Sequence, residues 1–267
     1  MAQIENLGKV KGLGEIKVCS ASFDKQIISL KNAGAKFPYI ISARDTAYMR
    51  LNDGLKDGTR TCHAPIYAKD SPIILAMVSP LISNLKMAKK AVEANRNNEY
   101  FATKDTEIYD KYAKIAETDK NKEPEKRKAI FLPEKEKFTI EKNSEAARTL
   151  FQDVRAQYFD EFVSNGINFY PINEEIVNKQ KGTTINYLWF WHPDDGSGLV
   201  GYGRVLSLVS GAFGVLKETS EAGSRSKLPY SSKEIKALQK IAEGVKTGEL
   251  AASKLEKVIG FFGRLNK

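Results

Sequence analysis

Apolar residues recur along this chain at two spacings, and each spacing predicts a different kind of element. A repeat of three to four residues predicts helices over 84–95, 103–117 and 144–164. Asn84 and Ser144 stand where the first and third of these helices would begin, and both residue types cap helix N-termini. The helix over 144–164 has the clearest apolar stripe of the three, so we expect one of its faces to pack on the core.

Strands are expected where aromatic and β-branched residues cluster in short runs between turn-forming residues. The predicted strands are 15–19, 37–42, 72–78, 129–132, 137–141, 167–170, 183–191 and 202–209. The strongest signal among them is the sequence TTINYLWFW at 183–191. The first 14 residues place three glycines among lysines, which predicts a loop or flexible arm.

The order of these elements predicts the fold class and the domains. Helices and strands are mixed without a regular βαβ alternation, which favours an α+β fold with a mixed or antiparallel sheet and flanking helices. We expect a core domain over 1–218, with a charged loop near 118–128. Residues 219–267 are predicted to form a linker and a C-terminal antiparallel helical hairpin, because two amphipathic segments there flank a short Lys-Thr-Gly junction.

The charge of the chain narrows the choice of partner. Lys and Arg number 42 against 33 Asp and Glu, which gives a formal net charge of +9 and a pI near 9.3. The excess lies toward both ends of the chain, and the middle is close to neutral. Such a protein suits nucleic acid or another polyanion, although a general solubility charge explains the same composition.

Neither a membrane partner nor an oxidising compartment is expected. The longest apolar stretch, 72–82, is interrupted and too short to cross a bilayer, and the N-terminal sequence lacks the apolar run of a secretory signal. The two cysteines, Cys19 and Cys62, are too few for a disulfide framework, so both are predicted to be reduced and at least partly buried. We therefore expect the chain in the cytoplasm or another intracellular compartment.

A nucleic-acid-binding surface is the leading functional hypothesis. Lysines lie in the glycine-rich arm, arginines in the stretch that follows, and further lysines at i, i+3 and i+7 on the first C-terminal helix. Aromatic side chains could stack on bases. The candidate residues are Lys9, Lys11, Lys17, Arg44, Arg50, Arg60, Trp191, Tyr202, Arg204, Lys233, Lys236 and Lys240. The competing interpretation of the lysine stripe is the solvated face of an amphipathic helix.

A second candidate site is the sequence HPDDGSG at 192–198. The imidazole of His192 and the carboxylates of Asp194 and Asp195 could together bind a divalent cation such as Mg²⁺, Mn²⁺ or Zn²⁺. Such a site predicts a metal-dependent, nuclease-like hydrolase, and this metal is the one cofactor that the sequence suggests. The Asp-Asp-Gly composition is also typical of a plain turn, which is the favoured interpretation.

Two weaker signals favour structural interpretations. The G-x-G-x-x-G pattern at 196–201 matches a dinucleotide-binding fingerprint, but no βαβ unit follows it, so a glycine-rich hairpin is favoured. Cys62 and His63 could form a nucleophile–base pair with His192, but isolated Cys and His residues are more often semi-buried structural groups.

These signals rank three functions. The chain is predicted to bind nucleic acid, DNA or RNA, alone or as one subunit of a nucleoprotein complex. A metal-dependent hydrolase is the first alternative, and catalysis is less favoured than binding. A structural protein that self-associates or packs in a larger assembly is the second alternative, with the C-terminal hairpin and the strand at 183–191 as its contact surfaces. The sequence carries no helix-turn-helix, zinc-finger, RNP or KH signature.

Overall fold

Three β-sheets with helices packed against them form the described part of the chain, which confirms the predicted α+β class. This computed structural model describes residues 2–53, 55, 57–191, 198–203, 206 and 210–216. All of them fall within one compact unit, Met1–Glu218. The helical hairpin predicted within 219–267 lies outside the described residues, and the predicted domain division stays a prediction.

The elements follow one another along the chain as short strands and medium-length helices. The strands are β1 (Gln3–Val10), β2 (Gly14–Ala21), β3 (Thr59–Arg60), β4 (Ala64–Tyr67), β5 (Ile74–Ala76), β6 (Ala102–Thr103), β7 (Ala129–Phe131), β8 (Phe138–Ile140), β9 (Ile167–Tyr170), β10 (Thr183–Ile185), β11 (Trp189–Phe190), β12 (Gly198–Val200) and β13 (Ser210–Val215). The α-helices are α1 (Phe23–Asn32), α2 (Ala43–Asp53), α3 (Pro80–Ser83), α4 (Leu85–Arg96), α5 (Glu107–Asp119), α6 (Glu145–Phe151), α7 (Arg155–Phe162) and α8 (Glu174–Lys179). Two 3₁₀ helices, η1 (Pro124–Lys126) and η2 (Gln152–Val154), stand between them.

Strand order shows that distant parts of the sequence meet in each sheet. The first sheet has the order β1-β2-β13, the second β6-β10-β4-β5-β7 and the third β3-β11-β12-β9-β8. Among the described strands, β9 and β12 form the one parallel pair, and the other pairings are antiparallel. The fold is therefore mixed in strand direction, as the sequence predicts.

Two large apolar clusters hold the helices on the sheets. The first includes Phe23 of α1 and Val92 of α4, both buried. The second surrounds α6, α7 and the third sheet, where the ring of Phe151 contacts Phe159 and Phe190 at centroid distances of 5.6 and 5.7 Å. Helix α2 packs against α6 and α7, so this second cluster fixes three helices relative to one another.

The N-terminal arm is a strand, and the loop prediction for the first 14 residues is wrong. Strand β1 pairs with β2 from Gln3 opposite Ser20 to Val10 opposite Gly14. Almost all residues of β1 are exposed, so the strand lacks the apolar–polar alternation that would have predicted it. Gly8 has a φ of +92° at an irregularity in the pairing, a conformation that glycine adopts without strain.

The strand predicted at 37–42 is also wrong. A cis peptide bond precedes Pro38, Tyr39 has a φ of +66°, and the segment leads into α2 through bends rather than pairing in a sheet. Helices α1 and α2 were not predicted. The mixed sequence ARDTAYMRLND of α2 shows no clear apolar stripe, so spacing alone does not reveal it.

Two long predicted elements are divided in the structure. The helix expected over 144–164 begins as predicted, with the Ser144 hydroxyl accepting from the Ala147 N–H, but it breaks at Gln152 into α6, η2 and α7. The strand expected over 183–191 becomes β10 and β11, which belong to different sheets. Of the strand predicted at 202–209, the described residues Tyr202 and Gly203 lie outside any strand. Among the described residues, no helix combines the length and apolarity needed to cross a membrane.

Candidate ligand-binding site

Two arginines proposed to contact nucleic acid belong to the core. Arg60 has 0% relative exposure, and its Nη1 donates to the Gln26 Oε1 at 2.7 Å and to the Ala21 carbonyl at 3.2 Å. The Arg60 guanidinium lies 5.5 Å from the ring centroid of Tyr187, and burial lowers the pKa of Arg60 to about 10. Arg60 therefore stabilises the interior and cannot reach a phosphate.

Arg50, the second of these arginines, is also buried. Its Nη1 donates to the Tyr158 hydroxyl at 2.8 Å, and its Nη2 donates to the Trp191 carbonyl. The guanidinium stacks 4.0 Å from the ring centroid of Phe190, and burial lowers the pKa of Arg50. The stretch that carries the three candidate arginines is thus formed by helix α2 and the buried strand β3.

The remaining candidate residues do not support the nucleic-acid-binding hypothesis. Lys9 and Lys11 are exposed at the β1–β2 hairpin and Lys17 is half-buried on β2. Trp191 and Tyr202 contact Tyr170 at centroid distances of 5.4 and 6.4 Å. Arg204, Lys233, Lys236 and Lys240 lie outside the described residues. The nucleic-acid-binding prediction is wrong: of its three arginines in this stretch, Arg50 and Arg60 are buried in the core, and Arg44 is hydrogen-bonded to Asp45 and Asp153.

The described residues support neither of the two alternative functions, the metal-dependent hydrolase and the assembly protein. His192, Asp194 and Asp195 lie outside the described residues, and within those residues no group of three or more His, Cys, Asp or Glu side chains could hold a metal ion. The described residues thus offer no support for the metal-dependent hydrolase, and a metal bound by His192, Asp194 and Asp195 stays a prediction. The strand at 183–191, proposed as an assembly surface, is buried within this chain over most of its length, since it supplies central strands of two sheets.

Cys62 and His63 form a buried structural pair rather than a catalytic one. The Nδ1 of His63 lies 2.8 Å from the Met77 carbonyl, so it carries the proton and donates, while Nε2 accepts from the Ala43 N–H at 3.0 Å. Burial lowers the pKa of His63 to about 4 and raises the pKa of the Cys62 thiol. Both cysteines are free and buried, as predicted.

An open pocket of about 1000 Å³ lies where α2, η1 and the α6–α7 junction meet, and we call it the arginine pocket. Its lining is mostly charged or polar. The lining residues are Ser42, Arg44, Asp45, Pro124, Glu125, Arg148, Gln152, Asp153 and Arg155. Of these lining residues, only Arg44 is among the binding residues predicted from the sequence.

The first wall of the arginine pocket is the N-terminus of α2, which is fixed by a reciprocal cap. The Asp45 N–H donates to the Ser42 hydroxyl at 3.1 Å, and the Ser42 N–H donates to the Asp45 carboxylate at 3.3 Å. The Ala43 N–H donates to His63, as described above. These bonds hold the next residue, Arg44, at the edge of the pocket.

Arg44 is fully engaged with two carboxylates. Its Nε and Nη2 donate to the two oxygens of Asp153 at 2.9 and 2.8 Å, and its Nη1 donates to Asp45 at 3.2 Å. The hydrogen bonds from Arg44 lower the pKa of Asp153, and those to Asp153 raise the pKa of Arg44. This bidentate pair joins α2 to η2 and balances the charge of Arg44.

Arg148 and Arg155, by contrast, have no ion pair within the described residues. Arg148 is exposed on α6, and Arg155 is half-buried at the start of α7. The Nε of Arg155 is buried without a hydrogen-bond partner in the described part of the chain. The rest of the guanidinium makes no ion pair in this part of the chain, so Arg148 and Arg155 both bring positive charge to the pocket lining.

Gln152 sits between these two arginines in a strained backbone conformation. Its φ of +49° and ψ of −123° belong to a region that glycine populates and other residues avoid. Such a conformation costs about 1–3 kcal/mol and is frequent at functional sites. The strain ends α6 and redirects the chain, so that Arg148, Gln152 and Arg155 all line one pocket.

Sequence reasoning missed this site because its residues look ordinary in one dimension. Arg148 and Arg155 lie on what reads as the polar face of a single amphipathic helix, where basic residues are common. Neither glycine nor proline marks the break at Gln152. The spacing of seven residues between the two arginines was the one available sign that they share a face.

Comparisons with known proteins add a fold likeness only. No protein-family model matches the chain, and no curated protein matches it in sequence. A solved structure from work described as "Accommodation of massive sequence variation in Nanoarchaeota by the C-type lectin fold" is similar over 81% of this chain and 97% of that chain. The TM-score is 0.44 and the sequence identity 10%. A likeness of this size carries no information on what this chain binds.

Proposed function

We propose that this chain is a ligand-binding protein that holds a small molecule in the arginine pocket through a carboxylate. The observation that carries the proposal is the contrast among the three arginines. Arg44 is paired on both sides, whereas Arg148 and Arg155 line the same pocket without an ion pair in the described residues.

The chemistry of the lining favours a single carboxylate over a polyanion. A guanidinium presents a planar set of donors that matches the two oxygens of a carboxylate. The three acidic residues Asp45, Glu125 and Asp153 line the same space, so a chain of phosphates would meet repulsion there. A ligand with one negative group can bind the two arginines and still avoid these carboxylates.

The proposal is tested with N-acetyl-trialanine, a tripeptide whose only charge is its C-terminal carboxylate. We expect it to bind with a Kd in the millimolar range, about −4 kcal/mol, because few atoms are held in an open site. Arg155→Gln and Arg148→Gln should each weaken binding about tenfold or more, as expected for loss of a charge-assisted hydrogen bond. Isothermal titration calorimetry or ligand-observed NMR gives both values.

A matched variant separates the pocket from the overall charge of the protein. Arg96→Gln removes the same charge from an exposed arginine in the last turn of α4, outside the lining, and should leave the affinity unchanged. The amide of the same peptide, which has no carboxylate, should not bind. Binding that is equal in wild type, Arg148→Gln and Arg155→Gln would refute the proposal, and so would an equal loss in Arg96→Gln.

A further inference from the structure

We infer that the ligand of the arginine pocket is a zwitterionic short peptide whose ammonium group binds Glu125 while its carboxylate binds Arg148 and Arg155. This inference rests on the proposed function, because it takes the carboxylate contact as given. It adds a second charged contact and the approximate length of the ligand.

The pocket is lined by equal numbers of positive and negative side chains, and only some of them form ion pairs with one another. Three arginines face three carboxylates. Arg44 is shared between Asp45 and Asp153, so these three groups neutralise one another in part. The charged lining residues outside this set are two guanidiniums and the Glu125 carboxylate, and a molecule that carries both signs of charge is complementary to them.

Glu125 is placed on a different wall from the arginines. It lies on η1, between Pro124, which also lines the pocket, and Lys126. The ammonium of Lys126 is 2.7 Å from Glu123, and this ion pair lowers the pKa of Glu123 and raises the pKa of Lys126, with nearby Glu125 as a smaller contributor to both shifts. Of these three groups, only Glu125 lines the pocket. Glu125 is thus the acidic group that η1 offers to the pocket.

The wall that carries Glu125 is tied to the wall that carries Arg148. Arg127, directly after η1, forms an ion pair with Glu145 in the first turn of α6, and its Nη2 donates to the Lys120 carbonyl at 2.9 Å. Helix α6 also packs against η1. The two charged walls therefore keep a defined separation, which a ligand of matching length can span without ordering a loop.

The size of the pocket leaves room for a short peptide. A sphere of about 1000 Å³ is ~12 Å across, and three extended residues span ~10 Å. A single amino acid holds its ammonium and carboxylate on one carbon, so we expect it to contact only one wall at a time. A peptide of about three residues fits the space and places its two ends apart.

The test compares trialanine with N-acetyl-trialanine and with free alanine, each titrated into the full chain. We expect trialanine to bind about fivefold more tightly than its acetylated form, the gain expected for one exposed ion pair. In Glu125→Gln this preference should disappear while the affinity for N-acetyl-trialanine stays unchanged. Glu134→Gln, which removes an exposed carboxylate outside the pocket lining, should keep the preference.

The outcomes separate the two levels of the proposal. Equal affinity for trialanine and N-acetyl-trialanine, or a preference that survives in Glu125→Gln, overturns the zwitterion inference and leaves the carboxylate site standing. Free alanine that binds as tightly as trialanine overturns the peptide length. Failure of both peptides to bind overturns the carboxylate site itself.

Discussion

Acid should destabilise this protein through His63, a side chain that the fold keeps neutral. The imidazole is 4% exposed and both of its nitrogens are engaged, Nδ1 as donor to Met77 and Nε2 as acceptor from Ala43. A second proton would have to go onto Nε2, which already faces an N–H group. Protonation would therefore break the bond that holds the first turn of α2, the wall of the arginine pocket.

The size of this effect follows from the pKa. Burial lowers the pKa of His63 to about 4, below the value of about 6.5 expected in the unfolded chain. The unfolded state therefore binds the proton more readily, so stability is full above pH 6.5 and is lost as the pH falls toward 4. Relative to pH 8, we expect a loss of about 0.8 kcal/mol at pH 6 and about 2 kcal/mol at pH 5.

Urea unfolding at pH 8, 7, 6 and 5, followed by the fluorescence of the two tryptophans, measures this loss. In His63→Gln the amide can accept from Ala43 and donate to Met77 without titrating, so stability should become nearly flat over this range. The chain has one other histidine, and His192→Asn should keep the full slope. A slope that persists in His63→Gln, or that vanishes in His192→Asn, would refute the reasoning.

Three further predictions concern strain, a buried charge and thiol burial. Gln152→Gly should raise the free energy of unfolding by about 1 kcal/mol, because relief of backbone strain exceeds the added entropy of the unfolded chain; a loss in urea unfolding would contradict the strain. Arg60→Ala should cost about 3 kcal/mol or more in the same assay, since it leaves a cavity and unpaired acceptors on Gln26 and Ala21; a cost below about 1 kcal/mol would contradict its burial. Cys19 and Cys62 should not react with Ellman's reagent at pH 8 in native buffer, because burial raises the pKa of both thiols, and both should react in urea; stoichiometric labelling of the native protein would contradict this.

Sequence patterns predicted the helices and strands that are determined by residues close together in the chain. Helix α4 follows its apolar spacing, and the Asn84 side chain accepts from the Met87 N–H as its residue type predicts. Strands β7, β8 and β9 also stand close to their predicted positions. In these segments the apolar residues, the caps and the turn residues all favour the same structure.

Structure that depends on contacts between distant parts of the chain could not be predicted in the same way. Strand β1 is exposed along most of its length and exists because β2 pairs with it, so no apolar alternation marks it. Arg50 and Arg60 are basic residues in a polar stretch, and only the packing of Tyr158, Phe190 and Tyr187 around them makes them interior. The arginine pocket shares this property, since it depends on where three separate segments meet.

The pairing of β13 with β2 can form only late in the synthesis of this protein. Gln26, in the first part of α1 that follows β2, donates to the carbonyl of Ser210, the first residue of β13, which lies 184 residues further along the chain. At about 5–20 residues per second, that partner is made roughly 10–40 s after Gln26. During this interval β2 has β1 on one side and an unpaired row of N–H and C=O groups on the other, which is a template for pairing with another chain. The N-terminal sheet is thus begun first and completed last, and we expect nascent chains cut short before residue 210 to aggregate.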